Sequence, residues 1–164
     1  DLTIMEGVEK IGSKAFNACS SLSVITIPES VKSIGDDAFY FCSDLTSINL
    51  NSGLESIGEY AFANTKIVNL TIPETVKSIG RYAFYNCSGL KSIFLQTGLE
   101  LIGKYAFANA GISALTIPES VESIGDNAFY NCSSLRSVRI DKAEGTLDIS
   151  KAGIPDEAEI TWKT

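Results

Sequence analysis

IGSKAF, residues 11–16, decides the fold, because the chain writes it six times. It returns as IGDDAF (34–39), IGEYAF (57–62), IGRYAF (79–84), IGKYAF (102–107) and IGDNAF (124–129). Successive Ile residues lie 23, 23, 22, 23 and 22 positions apart. A fixed period of about 20–30 residues marks a stacked solenoid, in which each unit buries its apolar side only against its neighbours.

Upstream of each copy runs a short alternating stretch: LSVITI (22–27), LTSINL (45–50), IVNLTI (67–72), LKSIFL (90–95) and ISALTI (112–117), with LRSVRI (135–140) after the last. LTI (2–4) reads as the tail of an earlier one, so the chain opens inside a repeat. Alternation of apolar and polar residues over such a length predicts a strand with one buried and one exposed face. Ile25 and Ile27 then point inward while Val24 and Thr26 point out. Strands recurring once per turn in one direction stack as a parallel sheet. Pro28, Pro73 and Pro118 end the ladder, since proline offers no N–H.

Within the motif, the Gly is explained either by positive φ or by close backbone approach. The x-x-A-F that follows is too short for a full helix and predicts a single helical or 3₁₀ turn. That turn drops Phe16, Phe39, Phe62, Phe84, Phe107 and Phe129 into a stacked aromatic spine. Cys19, Cys42, Cys87 and Cys132 share one column, replaced by Thr65 and Ala110 in the alternate copies. Such interchange predicts inward-facing packing thiols, free and unreactive.

A second period sits above the first. Residues 26–70 and 71–115 are identical at 30 of 45 positions, so the unit is a pair of coils of 23 and 22 residues. After Ile140 the motif dissolves, although TLDIS and AEITW still read as short strands. A solenoid needs its last coil covered. Residues 141–164 are therefore read as a cap on repeats covering about 1–140, with Trp162 as the lid, all within one domain spanning 1–164.

Composition excludes several classes of function. The net charge is −7 with a pI near 4.6, which repels phosphate backbones and anionic membrane surfaces. No apolar run approaches the roughly 20 residues that span a bilayer. The chain contains no His, the commonest general base and a common metal ligand. Glu29, Glu74, Glu119, Glu55 and Glu100 recur in register and read as a solvated acidic ridge, not as a glycosidase pair. No catalytic residue, metal site or cofactor is expected.

The composite L-x-x-I-x-I-P-x-x-V-x-x-I-G-x-x-A-F-x-x-C-x-x-L resembles the BspA-type leucine-rich repeats. The resemblance covers roughly residues 2–140. It implies an α/β, β-rich architecture: a right-handed leucine-rich-repeat solenoid with one parallel sheet on its concave face and short helical turns on the convex side. It also implies an extracellular or cell-surface role in adhesion or protein binding.

Candidate ligand contacts come from comparing the copies with one another. Core columns repeat almost unchanged. On the outward strand positions the second column reads Thr26, Thr71 and Thr116 in the Pro-containing coils, but Asn49, Phe94 and Arg139 in the others. A preceding column reads Thr46, Lys91 and Arg136, and the corner reads Asn51, Gln96 and Asp141. An exposed aromatic beside arginines is the composition that interface hot spots favour. Asn49, Lys91, Phe94, Gln96, Arg136 and Arg139 are accordingly the candidate ligand-binding residues. The competing reading makes them ordinary exposed strand positions. A monomeric, non-catalytic module binding a protein, or in second place a glycan, is the expectation, with a stalk or spacer as the alternative.

Overall fold

The computed structural model describes residues 2–164. The chain winds as a parallel β-solenoid of about seven turns. Each of the first six coils carries one two-residue strand ending at the motif's Ile: Lys10–Ile11 (β1), Ser33–Ile34 (β3), Ser56–Ile57 (β5), Ser78–Ile79 (β7), Leu101–Ile102 (β9) and Ser123–Ile124 (β11). These six form one uninterrupted parallel sheet in the order β1-β3-β5-β7-β9-β11.

The alternating runs supply a second face: Val24–Thr26 (β2), Ser47–Asn49 (β4), Asn69–Ile72 (β6), Ser92–Leu95 (β8), Ala114–Ile117 (β10) and Ser137–Ile140 (β12), joined by Glu159–Trp162 (β13). The stack is parallel as expected, but it is not one sheet. It falls into three ladders: β2-β4, β6-β8 and β10-β12-β13. Both breaks fall where the strand-to-strand step shortens to 22 residues, from Ser47 to Asn69 and from Ser92 to Ala114. The missing residue shortens the corner leading into β6 and into β10, and between β2 and β13 strand pairing is lost at those two places.

The x-x-A-F segments are turns, and no helix occurs among the described residues. In the fourth coil Ala83, Tyr85 and Cys87 donate within the coil, to the carbonyls of Gly80, Tyr82 and Phe84. The interleaved Tyr82, Phe84 and Asn86 donate instead to Lys104, Ala106 and Ala108 of the next coil, at 2.8–2.9 Å. A helix would turn every N–H inward on its own segment and leave no donors for stacking. The alternation is obtained with left-handed residues three and seven places after each motif Ile, such as Tyr82 (φ 56°) and Asn86 (φ 58°).

None of the motif glycines has positive φ; close approach is the reason in the five copies from Gly35 onward. A Cβ on Gly80 would lie 2.5 Å from the carbonyl carbon of Gly58, and one on Gly103 would lie 2.6 Å from that of Gly80. Phe39, Phe62, Phe84, Phe107 and Phe129 are fully buried, and the six rings stack at centroid spacings of 5.1–5.8 Å. The predicted spine is present.

Three cysteines behave as packing residues, each with its thiol donating to a Phe carbonyl of the preceding coil: Cys42 to Phe16, Cys87 to Phe62 and Cys132 to Phe107, at 3.1–3.2 Å. Burial pushes these thiols up to about 11. Cys19 is the exception. It is exposed, because no described coil stacks on that side of it.

At the other end β13 pairs in register with β12, and Trp162 is half-buried against the core. Asn127 and Phe129 donate to the carbonyls of Lys151 and Ala152, so this segment imitates a further turn. Of the two short strands expected there, AEITW forms and TLDIS does not, although Leu147 within it is buried. LTI (2–4) is likewise not a strand, having no ladder partner. The glutamates of the supposed ridge are exposed, but Glu55 and Glu100 flank Lys77, whose backbone hydrogen-bonds to both. Lys77 Nζ also reaches Glu100 at 3.1 Å. That edge is mixed in charge rather than acidic.

Candidate functional site

Outward residues of β8, β10, β12 and β13 enclose a shallow groove of about 530 Å³. Its position follows from the sequence step. Because the coil between β8 and β10 is one residue short, these strands lie side by side without ladder pairing, and the hollow opens over that seam. The floor is made of small side chains, with Ser92, Ala114 and Ser137 in one column. Phe94, Thr116, Arg139 and Thr161 form the next column, and Lys91 stands at the strand entrance.

Phe94 is 62 % exposed, a large ring lying on a sheet surface with polar neighbours. Thr71 sits beside it in the ladder register, and Thr116 lies between Phe94 and Arg139. The aromatic and the guanidinium are therefore two strands apart, about 10 Å by ordinary strand spacing. Arg139 Nε donates to Asp141 Oδ1 at 2.7 Å, which points the fork and leaves its two terminal nitrogens for another acceptor. The pair is exposed, so its contribution is orientation far more than stability. Lys91 makes no ion pair among the described residues.

Lys91, Phe94 and Arg139 are thus brought together, while the other candidates are not. Asn49 is exposed on β4, in the same column but two coils away from Phe94. Gln96 is exposed just past β8 and does not line the groove. Arg136 turns aside, its Nη1 donating to the carbonyls of Ser133 (2.9 Å) and Leu135 (3.1 Å), and it lines a different hollow with Tyr130 and Pro155. The corner residue Asn51 is buried and structural, its amide bonded to Val31 O and Gly53 N. Sequence reasoning missed the floor. Ala114 and Ser137 carry no chemical signal, and Thr161 comes from the segment whose register the repeat cannot supply.

Among the described residues no group of three or more His, Cys, Asp or Glu is placed to hold a metal ion. Among the same residues no helix is long and apolar enough to cross a membrane.

Comparison with known proteins agrees with this geometry. A family model described as a BspA type leucine rich repeat region matches residues 9–136 in six copies. The chain belongs to the BspA-type leucine-rich repeat family. Among solved members of this fold it is similar to the pneumococcal vaccine antigen PcpA, with 26 % identity and a TM-score of 0.74 over 94 % of this chain and 47 % of that one. A Treponema pallidum leucine-rich repeat protein is 27 % identical with a TM-score of 0.65, covering 99 % of this chain and 67 % of that one. A Bacteroides capillosus leucine-rich repeat protein is 32 % identical with a TM-score of 0.53, covering 74 % of this chain and 78 % of its own. The chain spans about half the length of the pneumococcal antigen. No curated protein sequence matches it.

Proposed function

We propose that this chain is a non-catalytic recognition module of an extracellular or cell-surface protein, and that it binds a protein ligand through the groove at the β8/β10 seam. The 164 residues act as one unit, repeats to about 140 and a cap from 141 to 164. A single observation carries the site: the seam between unpaired strands coincides with the exposed Phe94, flanked by Lys91 and the oriented Arg139. Aromatic and Arg side chains over a small-residue floor match the anchor-and-pocket composition of protein interfaces. Similarity to a bacterial vaccine antigen supports the surface setting, with which an adhesive role is consistent.

The test is capture from an array of extracellular matrix proteins by the chain and by its Phe94→Ala/Arg139→Ala double variant. Binding at least tenfold weaker in the variant, with unfolding temperature unchanged, supports the groove. Equal capture by both refutes it. If the array gives no specific binding at all, the spacer reading takes its place.

A further inference from the structure

We propose a second, independent binding surface: a trough along the turn edge of the solenoid that takes a neutral, extended glycan chain. The trough lies away from the Phe94 groove, at the left-handed corner seven residues after each motif Ile. Four successive coils place Asn64, Asn86, Asn109 and Asn131 there. A hollow of about 460 Å³ between the last three of them is lined by Asn86, Asn109, Asn131, Ser88, Ser133 and Ser134, with no charged side chain. It shares Asn131 and Ser133 with a neighbouring hollow of about 600 Å³, lined by Tyr130, 55 % exposed, and at its far side by Arg136, Asp156 and Glu157.

Left-handed φ does not by itself account for the asparagines. Ala18 and Phe41 hold the same corner in the first two coils, and Lys14, Asp37, Tyr60, Tyr82 and Tyr105 adopt left-handed φ at the companion corner. The amides are organised in pairs. Asn86 Nδ2 donates to Asn64 Oδ1, and Asn131 Nδ2 donates to Asn109 Oδ1, each at 2.7 Å. Each pair keeps one carbonyl, on Asn86 or Asn131, and one amino group, on Asn64 or Asn109, with no further side-chain bond among the described residues. A primary amide has one acceptor oxygen and two donor hydrogens, so each pair still presents both a donor and an acceptor. Sugar hydroxyls, which both donate and accept, are the natural complement.

The spacing points the same way. The pairs recur every 45 residues, and Tyr130, next to the second pair in sequence, lines the adjoining hollow. Two coils advance about 10 Å at ordinary strand spacing, comparable to the advance of two rings in an extended β-linked polysaccharide. One amide pair per two sugars gives hydrogen bonds to hydroxyls, and Tyr130 adds an apolar ring surface for a C–H face. The absence of charge from the amide-lined part of the trough selects against sulfated or uronic chains, which the protein's net charge of −7 also disfavours.

The experiment is calorimetric titration of the full 164-residue chain with cellohexaose and chitohexaose, and with heparin as the charged control. Saturable binding of at least one neutral hexasaccharide is expected, weakened tenfold or more by Tyr130→Ala and by Asn131→Gly. Glycine keeps the left-handed backbone and removes only the amide, and Tyr130→Ala tests the surface without touching that corner. Phe94→Ala/Arg139→Ala should bind the sugar like the parent, so failure here is separable from failure of the protein-binding groove. The proposal is overturned if neither hexasaccharide binds, if heparin alone binds, or if both trough variants bind as the parent does.

Discussion

The first and fourth coils carry the same motif, IGSKAF and IGRYAF, and yet differ in what the motif does. Gly80 lies so close to Gly58 that no Cβ fits between them, whereas a Cβ on Gly12 meets nothing within 4 Å. Phe84 is fully buried between Phe62 and Phe107, while Phe16 stacks only on Phe39 and is half-exposed. Cys87 is sealed in the interior and Cys19 faces water. In a solenoid a residue's energetic role is set by the coil beneath it as much as by its own identity.

That contrast can be broken most forcefully at the glycines. Gly80→Ala should destabilise by about 3 kcal/mol or more through backbone overlap, while Gly12→Ala should stay within roughly 0.5 kcal/mol, as for an open surface site. Urea unfolding of the two variants measures the difference, and equal losses would show that close approach is not the reason for the glycine. The spine comes next. Phe84→Ala should cost about 3–5 kcal/mol as a large-to-small core change, and Phe16→Ala roughly 1–2 kcal/mol because less apolar surface is withdrawn from water there.

The smallest effect is chemical. A thiol reagent in native buffer should modify Cys19 at once and leave Cys42, Cys87 and Cys132 unreacted, as counted by mass spectrometry. The three buried thiols have folded values raised to about 11 against a reference of 9.0. Their contribution to stability is therefore complete below pH 9 and declines as pH rises from 9 towards 11, because only the unfolded chain ionises them readily in that interval. Prompt labelling of all four at neutral pH would dissolve the distinction between end and interior.

The repeat, the strands of the alternating runs, the Phe spine and the packing thiols of the inner coils were legible in the sequence because each is a column, and a column needs only period and polarity to be seen. The strands at the motif Ile were not, because two residues show no alternation. The turns were misread as helical because x-x-A-F fits a helical turn in isolation; the demand for donors towards the next coil lies outside the segment. The candidate site was legible in part. Phe94, Lys91 and Arg139 stood out as departures within variable columns, but Arg136 stood out equally and turned away to cap carbonyls of Ser133 and Leu135.

By itself, then, the sequence determined a parallel stack with one Phe, one Gly and one alternating strand per coil, since these depend on spacing that every copy restates. The second, two-residue strand that each coil adds at the motif Ile does not follow from that spacing. Only the tertiary structure decided which of the glycines are indispensable, where the outer ladder breaks, and which outward residues share a hollow. Those outcomes depend on contacts between coils 22 or 23 residues apart and on a cap outside the repeat. A one-residue shortening leaves the apolar pattern intact while it removes strand pairing and opens the surface at Phe94.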